Sequence, residues 1–261
     1  MVAAGMVLAA AVALGIAYFA NSKPELSVAP STTPAASTAT LPSQSPSATP
    51  QGIAPGALIA TTAVDQLAVF SAPNGDVIMN LSQWSAQAFA PLTLMAIDSA
   101  MVEGAGWLEV LLPVKPNGST GWIRSADVTV SSTDVAIDIY LDERELDLSR
   151  AGEVVATYAV AVGTPETPTP LGTFYITDPL DFTTNPTGVY GSWALGISGF
   201  SEVLDEFYGG PPQVAIHGTN EPELVGQAVS NGCIRMANED ATELASQVGL
   251  GTPVIIHSSR E

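Results

Sequence analysis

The run "VAIDIYLDE" (residues 135–143) is a short segment rich in β-branched and aromatic side chains, and it reads as a strand. The same reading applies to "VVATYAVAVG" (154–163), "GTFYITD" (172–178), "QVAIHG" (213–218) and "TPVIIHS" (252–258). One helix stands out among them. It has Asn238 as a candidate N-cap, Glu239 and Asp240 in the first turn, where the helix dipole favours carboxylates, and Gly249 past its end. From 134 to 258 the chain is therefore expected to be mainly β, with one or two short helices.

Working outward, the segment before it also reads as strands. In "DQLAVFSAPNGDVIMNLS" (65–82), Asn74-Gly75 falls where an alternating pattern breaks after Phe70 and resumes at Val77, which is a hairpin signal. In "GWLEVLLPVKPNGSTGWIRSADV" (106–128), two strand-like runs flank Pro116-Asn117-Gly118. These features place a small all-β unit at about residues 63–131. "GWLEVLLP" and "GWIRSADV" give it a resemblance to bacterial SH3-like domains, small barrels whose presence implies wall-peptide binding or plain spacing. Trp107 and Trp122 also suit ordinary core positions.

Residues 1–22 contain about 20 uncharged, mostly apolar side chains, enough for a helix to cross a hydrocarbon layer of about 30 Å. Ala20-Asn21-Ser22 is a tolerable cleavage site, so the segment is expected to be an anchor or a signal peptide; its length favours the anchor. Residues 23–62 are rich in Pro, Ser, Thr and Ala, and Leu26 to Val64 carries no charge at all. That composition suits an extended tether with a reach of at most about 90 Å. An anchor, a spacer and an acidic globular part point to the outer face of a bacterial membrane.

The formal charge is -19, and Asp134 to Glu261 alone holds 19 acidic and 4 basic side chains. Nucleic-acid binding relies on Lys and Arg neutralising phosphates, so such a partner is excluded. The single cysteine, Cys233, excludes an internal disulfide.

Cys233 lies in "SNGCIRM" (230–236). A thiol nucleophile needs a base, amides to hold a developing oxyanion, and room for the acyl carbonyl. Gly232 leaves the backbone beside the sulfur uncovered, so the amides of Gly232 and Cys233 are the candidate oxyanion donors. The candidate base is His217, 16 residues earlier at the end of "QVAIH". The positive end of the helix at 238 is placed to help lower the thiol pKa. A buried structural cysteine and a structural histidine are the plain alternatives.

Together, "IHGT" (216–219), "SNGCIRM", the 16-residue His-to-Cys separation and "TPTPLGTF" (167–174) resemble the catalytic domain of L,D-transpeptidases of the YkuD type. The resemblance covers about 134–258 and implies a β-sandwich catalytic fold. Cys233 is then the nucleophile, His217 the general base, and the Gly218 carbonyl the group that orients the imidazole. Ser230, Asn231 and Gly232 match the nucleophile loop; Arg235, Thr219 and Tyr190 are expected near substrate. Many relatives have histidine where this chain has Asn231, whose amide is expected to hold the loop in place. The implied reaction joins peptidoglycan stem peptides by a 3→3 cross-link, with no metal or organic cofactor. An L,D-carboxypeptidase and a non-catalytic wall-binding protein remain the alternatives.

Overall fold

The computed structural model describes residues 56–260, apart from Tyr208. The apolar segment 1–22 and nearly all of the tether lie outside the described residues. Among those described, no helix is long and apolar enough to cross a membrane.

Seven strands make the first sheet: β1 (Ala57–Thr62), β2 (Gln66–Phe70), β3 (Val77–Ser82), β4 (Thr93–Val102), β5 (Ala105–Leu111), β6 (Thr120–Arg124) and β7 (Val128–Thr133). Every pairing is antiparallel, in the order β3-β2-β6-β5-β4-β1-β7. The turn read from Asn74-Gly75 joins β2 to β3, with Asn74 at φ 58°. Trp107 is buried, its ring meeting Phe70 edge to face at 5.1 Å. The sheet begins at Ala57, inside the segment expected to be tether, because β1 pairs along its whole length with β7 and along most of it with β4.

The rest of the chain forms β8 (Val135–Tyr140), β9 (Glu145–Arg150), β10 (Glu153–Ala159), β11 (Val162–Gly163), β12 (Gly172–Asp181), β13 (Trp193–Phe200), β14 (Gln213–His217), β15 (Ala228–Ser230), β16 (Ile234–Arg235), helix α1 (Asn238–Gln247) and β17 (Pro253–His257). Eight of these strands form a mixed sheet in the order β10-β9-β8-β17-β12-β13-β14-β16, and β11 pairs with β15. All five strand segments read from this part of the sequence are present. Along β8, Val135, Ile137 and Ile139 are buried while their neighbours are partly exposed, as a period of two requires.

The helix starts one residue earlier than expected. Ala237 is its N-cap, without a side-chain cap bond, and Asn238 is its first residue. The Asn238 amide is engaged elsewhere: its Oδ1 accepts the Ser192 N–H at 3.1 Å and the Thr219 N–H at 3.0 Å.

Strand β12 joins the two sheets. Its first half, Gly172–Tyr175, pairs with β17, and its second half, Ile176–Asp181, pairs with β13. Phe174 and Ile176 face the core of the second sheet, whereas Tyr175 points the other way, into the core of the first. Tyr175 is fully buried, and its hydroxyl donates to Leu111 O at 3.1 Å. Burial, with the nearby Asp178 carboxylate, drives the Tyr175 pKa far up, so the phenol stays a donor.

Two further clasps hold the sheets together. Asn117 donates through Nδ2 to Phe200 O at 2.8 Å and accepts the Phe200 N–H through Oδ1 at 2.9 Å, as a neighbouring strand would. Asp178 Oδ1 accepts the N–H groups of Gln87 (3.1 Å) and Ala88 (3.0 Å) from the β3–β4 loop. With these contacts, the described residues belong to one compact unit.

Removing the Tyr175 hydroxyl leaves a buried carbonyl without its donor, which costs about 1–2 kcal/mol. Tyr175→Phe is therefore expected to lower the free energy of urea unfolding by that amount. An unchanged midpoint would show that the hydroxyl contributes nothing.

Candidate active site

The site lies on the face of the second sheet turned away from its core. In the parallel pair β14 and β16, Ile216 is opposite Ile234 and both are buried in the core. Because side chains alternate along a strand, Ala215 and His217 on β14, Arg235 on β16 and Cys233 just before β16 project from the opposite face. His217 and Cys233 are thus diagonal neighbours on one surface, close enough for an imidazole to reach a thiol.

Register extends this face across four strands. One row runs Asp178, Gly196, Ala215, Cys233, and the next runs Leu180, Ala194, His217, Arg235. A bulge in β12 makes this possible: Ile176 is opposite Ile197 but Asp178 is opposite Gly196, so Thr177 is an extra residue. Without it, Asp178 would face the core. The extra residue turns it outward, the re-aiming that bulges produce.

Apart from His217 and Arg235, which do not line it, the rows form the floor of a cavity of about 310 Å³, whose lining includes Cys233, Ala215, Gly196, Ala194, Asp178 and Tyr190. Three inter-strand steps of about 4.8 Å put Cys233 roughly 14 Å from Asp178 along this floor. Tyr190 stands over His217, with its ring edge-on at 5.1 Å, and stacks on Phe182 at 6.2 Å. A Cβ on Gly196 would lie 3.0 Å from the Asp178 Cβ and 3.1 Å from Gln213 Nε2, so the floor has no room for a larger residue there.

His217 is buried, and its Nδ1 is 2.5 Å from Gly218 O. A carbonyl can only accept, so Nδ1 carries the proton and Nε2 keeps a free lone pair. Gly218 is fixed in turn by its N–H to Trp193 O at 3.0 Å, and a Cβ there would meet Asn238 Oδ1 at 2.2 Å. Burial pulls the His217 pKa down to about 4; the Gly218 bond opposes this and the Arg235 charge adds to it.

Burial pushes the Cys233 thiol up, and the Ala215 backbone and the Arg235 charge only partly offset it. Burial thus shifts the thiol upward, opposite to the lowering expected from the helix end. Both shifts favour the neutral thiol and imidazole over the ion pair.

The nucleophile loop also differs in detail from expectation. The Gly232 N–H donates to Ser230 Oγ at 3.1 Å, so this amide is already engaged and is withdrawn as an oxyanion donor. The Ser230 hydroxyl donates to Cys233 O at 2.5 Å, closing the loop from within. Gly232 itself is required by its φ of 109°, a region that L side chains rarely adopt. Asn231 is exposed and forms no hydrogen bond among the described residues, so holding the loop falls to Ser230.

Thr219, expected near substrate, is buried behind His217, with its N–H on Asn238 and its hydroxyl accepting from Glu221 N. Arg235 stands beside the pair, its guanidinium 3.5 Å from Glu221, and does not line the cavity. Among the described residues no group of three or more His, Cys, Asp or Glu is placed to hold a metal.

Residues 134–256 match the YkuD family, the L,D-transpeptidase catalytic domain. The matched segment begins just before β8 and ends within β17. Over 121 residues the chain is 42% identical to the YkuD protein of Bacillus subtilis (strain 168), named as an L,D-transpeptidase, covering 46% of this chain and 65% of that protein. It is 34% identical over 126 residues to YqjB of the same organism, named likewise, covering 43% of this chain and 65% of that protein. The chain thus spans just under two thirds of the length of these relatives. Among solved structures, the catalytic domain of an E. faecium L,D-transpeptidase aligns at 24% identity and a TM-score of 0.35, over 48% of this chain and 97% of that one. An L,D-transpeptidase from Mycobacterium tuberculosis H37Rv aligns at 15% identity and a TM-score of 0.42, over 67% and 94%.

Three residues that shape the site were not assigned to it from the sequence. Asp178 was hidden in a strand, and only the bulge brings it to the cavity. Gln213 opens "QVAIHG", and its Nε2 lies within hydrogen-bond distance of Thr177 Oγ1, Asp178 Oδ2 and Ile197 O. Asn238 was read as a cap, although its place two residues after "SNGCIRM" was a usable signal.

The buried imidazole links the site to stability. An unfolded histidine takes up a proton below about pH 6.5, whereas His217 in the fold does so only near 4. The unfolded state thus binds more protons between those values, and this part of the stability is lost as pH falls from about 6.5 to 4. The loss is on the order of 3 kcal/mol. Unfolding free energies measured across this range should fall for the parent and flatten for His217→Gln; parallel curves would mean that His217 is not held neutral by burial.

Proposed function

We propose that this chain is a cysteine acyltransferase acting on peptidoglycan stem peptides, an L,D-transpeptidase. The observation that carries the reading is the shared face of Cys233 and His217, with the imidazole tautomer fixed by Gly218 so that its free nitrogen is the acceptor.

In this mechanism the carbonyl of the third stem residue enters over Ala215 and meets the thiol. The pair rests neutral, so the proton moves from Sγ to Nε2 as sulfur attacks, rather than beforehand. The tetrahedral oxyanion is met by the Cys233 N–H. An imidazolium whose pKa is as low as that of His217 is a strong acid, suited to protonating the departing amine of the terminal D-Ala. That step leaves a thioester on Cys233 and a neutral His217. The side-chain amine of a neighbouring stem then attacks the thioester and passes its proton to His217. Cys233 is released as the thiol, and the product is a 3→3 cross-link.

The apolar composition of residues 1–22, read as an anchor or signal, supports a reaction outside the cytoplasm. The SH3-like likeness of 63–131 fits a unit that spaces or orients the catalytic face on the wall.

With a disaccharide tetrapeptide as sole substrate, mass spectrometry is expected to find released D-Ala and a cross-linked dimer, and a carbapenem should add its mass to Cys233. Cys233→Ala should lose both while unfolding at nearly the parent temperature. A tripeptide in place of the dimer would assign a carboxypeptidase. Absence of both product and adduct in the parent would leave only a wall-binding role.

A further inference from the structure

The Asp178 end of the active-site floor does not close the cavity. Gln87, Asp178, Pro211 and Gln213 are shared with a second cavity of about 250 Å³, which extends between the two sheets to Trp84. Its first-sheet wall is the β3–β4 loop, held by the two N–H bonds from Gln87 and Ala88 to Asp178. Burial pushes the Asp178 carboxyl up, but the Ala88 N–H, the Thr177 and Ser85 hydroxyls and the Gln213 amide hold it below the usual carboxylate range, so the clasp stays ionised at neutral pH.

This loop offers two side chains to the second cavity without engaging them elsewhere. Trp84 is 49% exposed, and its ring has no aromatic or cationic partner among the described residues. The Gln87 side-chain amide has no hydrogen-bond partner among them either, and Gln87 lines both cavities. An open indole face beside an unpaired amide suits a ligand that is apolar on one face and rich in hydrogen-bonding groups at its rim. A pyranose ring fits that description: its axial C–H groups pack on the negative face of the indole, and its hydroxyl and acetamido groups meet the amide.

Length supports the same occupant. From Cys233 to Asp178 is roughly 14 Å along the floor, while three extended residues span about 10 Å. A stem peptide with its third carbonyl at Cys233 therefore ends about 4 Å short of the junction, which leaves that distance for the link between its first residue and the sugar.

We propose that the cavity between Trp84 and Asp178 is a saccharide subsite, which binds the glycan sugar carrying the stem peptide while that peptide lies along the Cys233 floor. The proposal rests on the stem-peptide reading above.

Binding to the full chain carrying Cys233→Ala tests it by calorimetry, with the disaccharide tetrapeptide and the bare tetrapeptide as probes. The disaccharide form is expected to bind about ten-fold more tightly. Adding Trp84→Ala should bring the ratio close to one by weakening the sugar-bearing probe, and Trp84→Phe should restore most of it. Equal binding of the two probes, no binding of either, or a ratio unmoved by Trp84→Ala would overturn the subsite. Failure of the enzymatic reading registers separately, as the absence of an acyl adduct on Cys233 in the parent chain. Sugar-dependent binding without that adduct would leave the subsite standing and remove the catalysis.

Discussion

The alternation of β12 between two cores is the constraint on which the rest of the molecule depends. Phe174 and Ile176 lie in one core and Tyr175 in the other, so this strand cannot shift by a single residue without exchanging what each core receives. The bulge at Thr177 then reverses the faces of everything after it. Tyr175 ties the first sheet to the strand from within, and Asp178 ties it from the rim of the cavity. One strand therefore sets both the packing of the two sheets and the position of the cavity wall.

The chemistry of the site follows from burial more than from charge. A net-negative chain would ordinarily favour protonated histidine, yet His217 is driven down to about 4 because the fold removes it from water. The same desolvation raises the thiol, with Arg235 acting against it. The outcome is an uncharged pair whose orientation is fixed by a single carbonyl. That carbonyl is held by a glycine whose surroundings, Asn238 Oδ1 and Ser192 N, leave no space for a side chain.

Much of this was legible in the sequence, for identifiable reasons. Strands such as 135–140 and 253–257 announce themselves because β-branched residues dominate them, and the His217 to Cys233 separation is a local pattern. What stayed hidden depends on long-range pairing. The outward turn of Asp178 requires the register of β12 against β13, which no window of sequence contains. Asn238 has the right type and place for a cap, but tertiary bonds to Ser192 and Thr219 compete successfully for its amide. The engagement of the Gly232 amide by Ser230 likewise depends on a loop closing on itself. In the nucleophile loop, residue types were readable and donor assignments were not.

The floor beneath the site is made of Gly196, Ala194 and Ala215, residues with no rotatable side chain beyond a methyl group. A surface of this kind loses no rotamer entropy when something settles on it. Conformational adjustment is confined to the walls, where Tyr190, Gln87 and Pro211 sit on loops from different parts of the chain. Sequence drift in those loops can therefore retune which molecules are admitted while the bed under the reacting carbonyl keeps its shape, which separates the evolution of selectivity from that of the chemistry.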